Sequence, residues 1–195
     1  MILGLTGVRG SGKDTLADHL VDHYGFRRIA FADPVREKVK FLLQLKSDKE
    51  YDQIKRTKLL WDYNQYNGYG TFKDREKEID GRHLVREIGM LMLSYDKEQF
   101  TNYVTNEISK NVEKFHYVVT DLRMEHEYQC LKRLDAYVVK IETGKENTDN
   151  HVTEVGFSDD MCDYIIHNID RDLQKFQRNI DDMIQKRFNV YPSSK

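Results

Sequence analysis

The sequence predicts an α/β fold, a five-stranded parallel sheet flanked by helices, and three observations carry that reading. Five short apolar runs, at residues 1–6, 28–32, 116–121, 136–142 and 163–167, alternate with stretches of helical periodicity. Such alternation builds parallel sheets with right-handed crossovers. The last three runs (HYVVTD, AYVVKIE, DYIIH) are rich in Val, Ile and Tyr and nearly continuously apolar at their centres, as suits strands covered on both faces. Between the first run and the first helix lies Gly7-Val-Arg-Gly-Ser-Gly12-Lys13, a glycine loop in the strand-to-helix context where backbone amides cradle phosphate.

In chain order, the strand at 1–6 feeds that loop, and the helix at 14–24 shows its apolar face through Leu16, Ala17 and Leu20. After the strand at 28–32, Asp33-Pro34 reads as a helix start, N-cap followed by proline, for a helix over 33–45. Residues 47–80 are polar and Tyr-rich with a glycine turn at Asn67-Gly68-Tyr69-Gly70, and read as an inserted lobe without a sheet element. Helices follow over 81–93 and 97–115. In the second, Phe100, Val104, Ile108, Val112 and Phe115 form a stripe at spacings of four and three. The strand at 116–121, a helix over 124–134 and the strand at 136–142 restore the alternation. The polar stretch 143–161 is long for a connection in a compact domain and suits a lid. The strand at 163–167 and a helix over 171–188 complete the pattern.

The 195 residues suit one domain bearing an insert. One third of them are charged, acids and bases are interspersed, and the formal net charge is −2, which argues against a nucleic-acid polymer as partner. No apolar run approaches membrane-spanning length, and no signal-peptide pattern is present, so no membrane partner is expected. Cys130 and Cys162 show neither metal spacing nor a disulfide framework; reduced thiols in a cytoplasm are expected.

The loop gives the chemistry. Gly7, Gly10 and Gly12 permit backbone conformations closed to other residues, and with Arg9 and Ser11 they bring N–H groups to phosphate oxygens. The helix that follows presents its positive end to the same anion, and Lys13 reaches the β- and γ-phosphates. Arg9 approaches the γ-phosphoryl or covers the loop's outer side. The residue after Lys13 is Asp14, not the usual Ser or Thr, with Thr15 next. A carboxylate is a hard oxygen ligand suited to Mg²⁺, so Asp14 and Thr15 are assigned to the metal and the phosphates. Without the metal, Asp14 would repel a triphosphate.

The motifs G-x-x-x-S-G-K-D-T-x-A-D at 7–18, A-D-P-V-R at 32–36, R-x-L-x-x-x-x-G at 82–89, V-V-x-D-x-R-x-x-H-E at 118–127, H-V-T-E-V-G at 151–156 and D-Y-I-I-H-N at 163–168 together resemble the deoxynucleoside monophosphate kinases of tailed bacteriophages. The resemblance implies a P-loop NTPase fold with strand order 2-3-1-4-5, a helical monophosphate-binding insert at about 34–95 and a short lid at 143–161. It implies transfer of the γ-phosphoryl of ATP to a (deoxy)nucleoside monophosphate with Mg²⁺, in a host cytoplasm, and leaves a homodimer open. Arg123, two residues past Asp121, is expected to grip the acceptor phosphate bidentately, or to be a helix-surface arginine paired with Glu127. Asp121 is expected at the metal or orienting the acceptor, or as an N-cap. Asp33, Arg36, Arg82 and Arg86 are further candidates for the acceptor, against a reading as helix starts and solvated helix charges. His151 and Glu154 are candidates for closing contacts. Asn168 is assigned to the adenine edge, against a turn asparagine.

Two departures stand out. The family usually has Gln where Arg86 stands, and an arginine just after the fourth strand where this chain has Glu142-Thr143-Gly144-Lys145. No arginine occurs from 143 to 161, so the positive charge of a lid there must come from Lys145 or from outside it. The alternatives are another small-molecule P-loop kinase, such as one acting on dephospho-coenzyme A, and a nucleotide-binding protein without an acceptor.

Overall fold

The computed structural model describes residues 1–61, 77–144, 157–170 and 172–192. Five strands, β1 (Ile2–Thr6), β2 (Arg27–Ile29), β5 (Tyr117–Val119), β6 (Tyr137–Glu142) and β7 (Tyr164–His167), form one parallel sheet in the order β2-β5-β1-β6-β7. Counted along the chain as the first to fifth apolar runs, that is the expected order 2-3-1-4-5. The helices are α1 (Lys13–Tyr24), α2 (Asp33–Leu42), α3 (Asp48–Ile54), α4 (Gly81–Tyr95), α5 (Gln99–Ser109), α6 (Glu125–Arg133) and α7 (Leu173–Phe188). No helix among the described residues is long and apolar enough to cross a membrane.

The chain divides into two compact units, residues 1–31 with 101–195, and residues 32–100. In the first, the sheet has two unlike faces. Leu3, Leu5, Val139, Ile141 and Ile166 pack with Leu16 and Leu20 of α1 and with Phe176, Ile180 and Ile184 of α7. All five residues of β1 are buried, so its apolar run is the signature of a strand covered twice. On the opposite face Gly4 makes room for a helix: a Cβ there would stand 2.7 Å from Leu131 Cδ1 of α6 and 3.2 Å from Leu122 Cδ2. Thr105 Oγ1 lies 3.3 Å from Cys130 Sγ, which brings α5 beside α6.

Helices α1 and α7 are also joined by polar groups. The buried ring of His19 meets Asp181 Oδ1 through Nε2 at 2.7 Å, and the Tyr24 hydroxyl donates to the same oxygen at 2.7 Å. Burial and this bond raise the Tyr24 hydroxyl above its usual pKa.

The second unit departs from expectation. Residues 47–80, expected to hold no sheet element, contain β3 (Lys58–Trp61) and β4 (Lys77–Asp80), which pair antiparallel, Lys58 opposite Asp80 and Trp61 opposite Lys77. KLLW and KEID are too short, and alternate too weakly, to give a period-two signal. Helix α3 was missed for similar reasons. It is seven residues long, and Ser47 caps it by accepting the Glu50 N–H at 3.2 Å. Gly81 opens α4 where a Cβ would lie 1.8 Å from the Ile54 carbonyl oxygen, and Asp80 caps that helix by accepting the Arg82 N–H.

Two helix ends also differ. Helix α2 begins at Asp33 with Ala32 as its N-cap, so Asp33 is a first-turn acid and not the cap. It stops at Leu42, because Gln44 turns left-handed at φ 54° and the Leu45 N–H reaches back to the Lys40 carbonyl at 2.8 Å. Helix α5 ends at Ser109, not 115. The Asn111 and Lys114 N–H groups bond three residues back, to Ile108 and Asn111, so Val112 and Phe115 extend the apolar stripe without extending the helix.

Candidate active site

Thr6 ends β1, and the backbone turns at once into a conformation reserved for glycine. Gly7 has φ 139°, and a Cβ on it would stand 2.5 Å from the Ile141 carbonyl oxygen of the neighbouring strand. Gly10 follows at φ 75°. Gly12, at φ 108° and ψ 11°, is the N-cap of α1 and supplies no side-chain cap. A helix N-terminus without a side-chain cap is a favourable place for an anion. Ser11 is fully buried, and its N–H bonds to the Val8 carbonyl at 3.1 Å.

Lys13 folds back across this loop. Its Nζ donates to the Gly7 carbonyl at 2.6 Å and the Val8 carbonyl at 2.8 Å, with Ser11 Oγ at 3.4 Å. From the end of β7, Asn168 Nδ2 donates to the Ser11 carbonyl at 2.8 Å. Asn168 thereby braces the loop from outside, a role beyond both the adenine contact and the turn expected of it. A cavity of about 210 Å³ opens beside this brace, lined by Gly10, Gly12, Thr15, Asn168, Leu173 and Phe176. Arg9 is exposed. Asp14 is exposed too, and its carboxylate is ion-paired with Arg28 of β2.

The loop after β5 is held from two directions. Asp121 accepts the Phe31 N–H at 2.8 Å, tying the end of β5 to the segment after β2. The N-cap of α6 is Met124, so Asp121 does not serve as that cap. Arg123 lies on this loop, ahead of the helix, with an exposed side chain. Glu127 is buried, and its Oε2 accepts the backbone N–H groups of Arg123 at 2.8 Å and Met124 at 2.9 Å. Burial, and then the nearby charge of Asp121, push its pKa up to about 7, against the pull of those two N–H groups and the Arg123 guanidinium. The sequence offers Glu127 as an i+4 partner for the Arg123 side chain, as a residue orienting the loop, or as cover for exposed helix surface; the structure shows it bonded to the loop backbone. The Glu at the third helical position, as in a capping box, is the signal that would have given the backbone contact.

In the second unit Asp33 and Arg36 pair with each other at 3.0 Å. Arg36 also lies 5.8 Å from the ring centroid of Tyr51. Arg82 Nε donates to the Lys55 carbonyl at 3.3 Å, and Arg86 Nη2 meets His83 Nδ1 at 2.8 Å. Lys145, His151 and Glu154 lie outside the described residues.

Mg²⁺ is the ion this chemistry implies. Among the described residues no three or more His, Cys, Asp or Glu side chains gather around a common point. Mg²⁺ does not require such a cage, since it keeps several waters and takes one or two protein oxygens beside substrate phosphates. The hydroxyl of Thr15 and the carboxylate of Asp121 are hard oxygen donors of that kind; the Asp14 carboxylate, also expected at the metal, is instead paired with Arg28. The residues fit the ion.

Comparison with known proteins agrees with this fold. Residues 82–180 match the family model described as deoxynucleotide monophosphate kinase. A protein of Acanthamoeba polyphaga mimivirus carrying that kinase name is 28% identical over 160 residues, 80% of this chain and 81% of the relative. The deoxynucleotide monophosphate kinase of Escherichia phage RB69 is 34% identical over 71 residues, 36% of this chain and 29% of the phage protein. In structure, the chain is similar to a dephospho-CoA kinase from Campylobacter jejuni at a TM-score of 0.50 and 15% identity, over 95% of this chain and 97% of that one; a likeness at that identity speaks for the fold. Half of the chain, including the Arg123 loop and Asn168, fits one family's pattern, and the protein belongs to the deoxynucleotide monophosphate kinase family.

Proposed function

We propose that the protein transfers the γ-phosphoryl group of ATP to a deoxynucleoside monophosphate, giving ADP and the deoxynucleoside diphosphate. One observation carries the reading: a glycine loop at the mouth of an uncapped helix, with the Lys13 ammonium drawn across its carbonyls. Phosphoryl transfer asks for alignment and positive charge more than for covalent help, and this loop offers both to a triphosphate.

In this reading the amides of residues 7–13 hold the triphosphate, and Lys13 offsets charge on the β- and γ-phosphates. Asn168 keeps the loop in shape, and the adjoining cavity takes part of the nucleoside. Arg123 grips the acceptor phosphate, with Asp121 orienting the loop end. Arg36 and Arg82, in the second unit, are further candidates for a phosphate. Thr15 and Asp121 would hold Mg²⁺ brought with ATP, which would supply neutralisation of phosphate charge.

An ADP-release assay over deoxynucleotides, ribonucleotides and dephospho-coenzyme A tests the reading. Turnover with a deoxynucleoside monophosphate, lost in Lys13→Ala, is the expected result. Turnover confined to dephospho-coenzyme A would overturn the acceptor. ATP binding without turnover on any acceptor would favour a protein that only binds nucleotide.

A further inference from the structure

The unusual letter of the phosphate loop has a partner that the sequence did not reveal. Asp14 stands where a hydroxyl residue is usual, in the first turn of α1 and one residue from Lys13. Asp18 and Asp22 follow at intervals of four, so the three carboxylates share one helix face and repel each other. A fixed negative charge this close to the loop opposes a triphosphate. Arg28 answers it: from edge strand β2 its guanidinium forks onto two of the three, with Nη2 on Asp14 and Nη1 3.1 Å from Asp18. Its neighbours in the strand are engaged elsewhere. Arg27 stacks on the Phe115 ring, and Ile29 is buried.

We infer that Arg28 sets the affinity for ATP by neutralising Asp14, so that the loop keeps its positive potential despite a carboxylate in place of the hydroxyl. The inference rests on the proposed kinase reading and adds to it a residue outside the loop, on a different strand. An exposed ion pair contributes little to folding stability, so the pair's consequence falls on the ligand, which carries several charges. At a separation near the screening length, one uncompensated charge facing a polyphosphate weakens binding by about three- to tenfold. The effect is larger for free ATP than for Mg·ATP, whose net charge is smaller.

The test is a binding cycle on the full chain: wild type, Arg28→Met, Asp14→Asn and the double variant. ATP dissociation constants are measured with Mg²⁺ and again in EDTA, and thermal melts check folding. Arg28→Met is expected to weaken ATP binding about three- to tenfold, more in EDTA than in Mg²⁺, and Asp14→Asn in that background to restore it to within about twofold of wild type. Arg28→Gln serves the same cycle should Arg28→Met fold poorly. Unchanged binding in the arginine variants overturns the inference while the kinase reading stands. So does a loss that Asp14→Asn fails to restore, because Arg28 would then act on the nucleotide or the fold directly. A wild-type chain that binds no ATP overturns the kinase reading, and this inference with it.

Discussion

Gly7 carries the tightest constraint in the phosphate loop, because two independent limits meet there. Its φ of 139° excludes ordinary side chains, and a Cβ would press on the Ile141 carbonyl, a backbone atom with no rotamer to yield. Gly7→Ala is expected to lower stability by at least about 2 kcal/mol and to abolish ATP binding. Calorimetry and titration with ATP check both. Lys13→Ala removes charge and little packing, so transfer should fall by at least about a hundredfold while the melting temperature moves by only a few degrees. Glu127 adds a pH dependence. Between pH 4.5 and about 7 the native state keeps a proton that the unfolded chain has already lost. Stability present below pH 4.5 is therefore lost as pH rises through about 7, by on the order of 3 kcal/mol. Denaturant unfolding of Glu127→Gln should show a flatter profile across that window, and a slope equal to wild type would contradict the assignment. At this scale the loop was legible, because glycine spacing and a lysine are local signals. The partners of Asp14 and Glu127 were not. One lies on another strand, and the other is a backbone contact that spacing reports only as a side-chain pair.

Among the elements, α1 links the loop to the rest of its unit, and α7 is what α1 leans on. Asp181 receives both His19 and Tyr24, and His19 Nδ1 is buried without a partner. Asp181→Ala would leave further buried polar groups unsatisfied and should cost about 2–4 kcal/mol. Asp181→Asn, which keeps an acceptor, should recover part of that. Denaturant midpoints of the two variants check the order. The five sheet strands and the long helices were readable because burial on both faces or on one stripe imprints a period. The β3–β4 pair and α3 fell below that threshold, and α5 stopped short of its stripe because Asn111 and Lys114 turn the backbone while Val112 and Phe115 keep the apolar spacing.

For the whole molecule, the expected strand order and the observed one coincide because the motifs carried a family resemblance that implies that order; right-handed crossovers alone leave several. The kinase family follows from motifs spread along half the chain. The partition into two compact units had only a compositional signal, a polar Tyr-rich stretch, and its elements came from caps and close glycine contacts that no periodicity shows. The most direct measurement of the central claim follows the label of γ-³²P-ATP mixed with each deoxynucleoside monophosphate. Label appearing in a deoxynucleoside diphosphate with wild-type protein, and absent with Lys13→Ala, is the predicted result. Label released only as inorganic phosphate, or left on ATP with every acceptor, would contradict it.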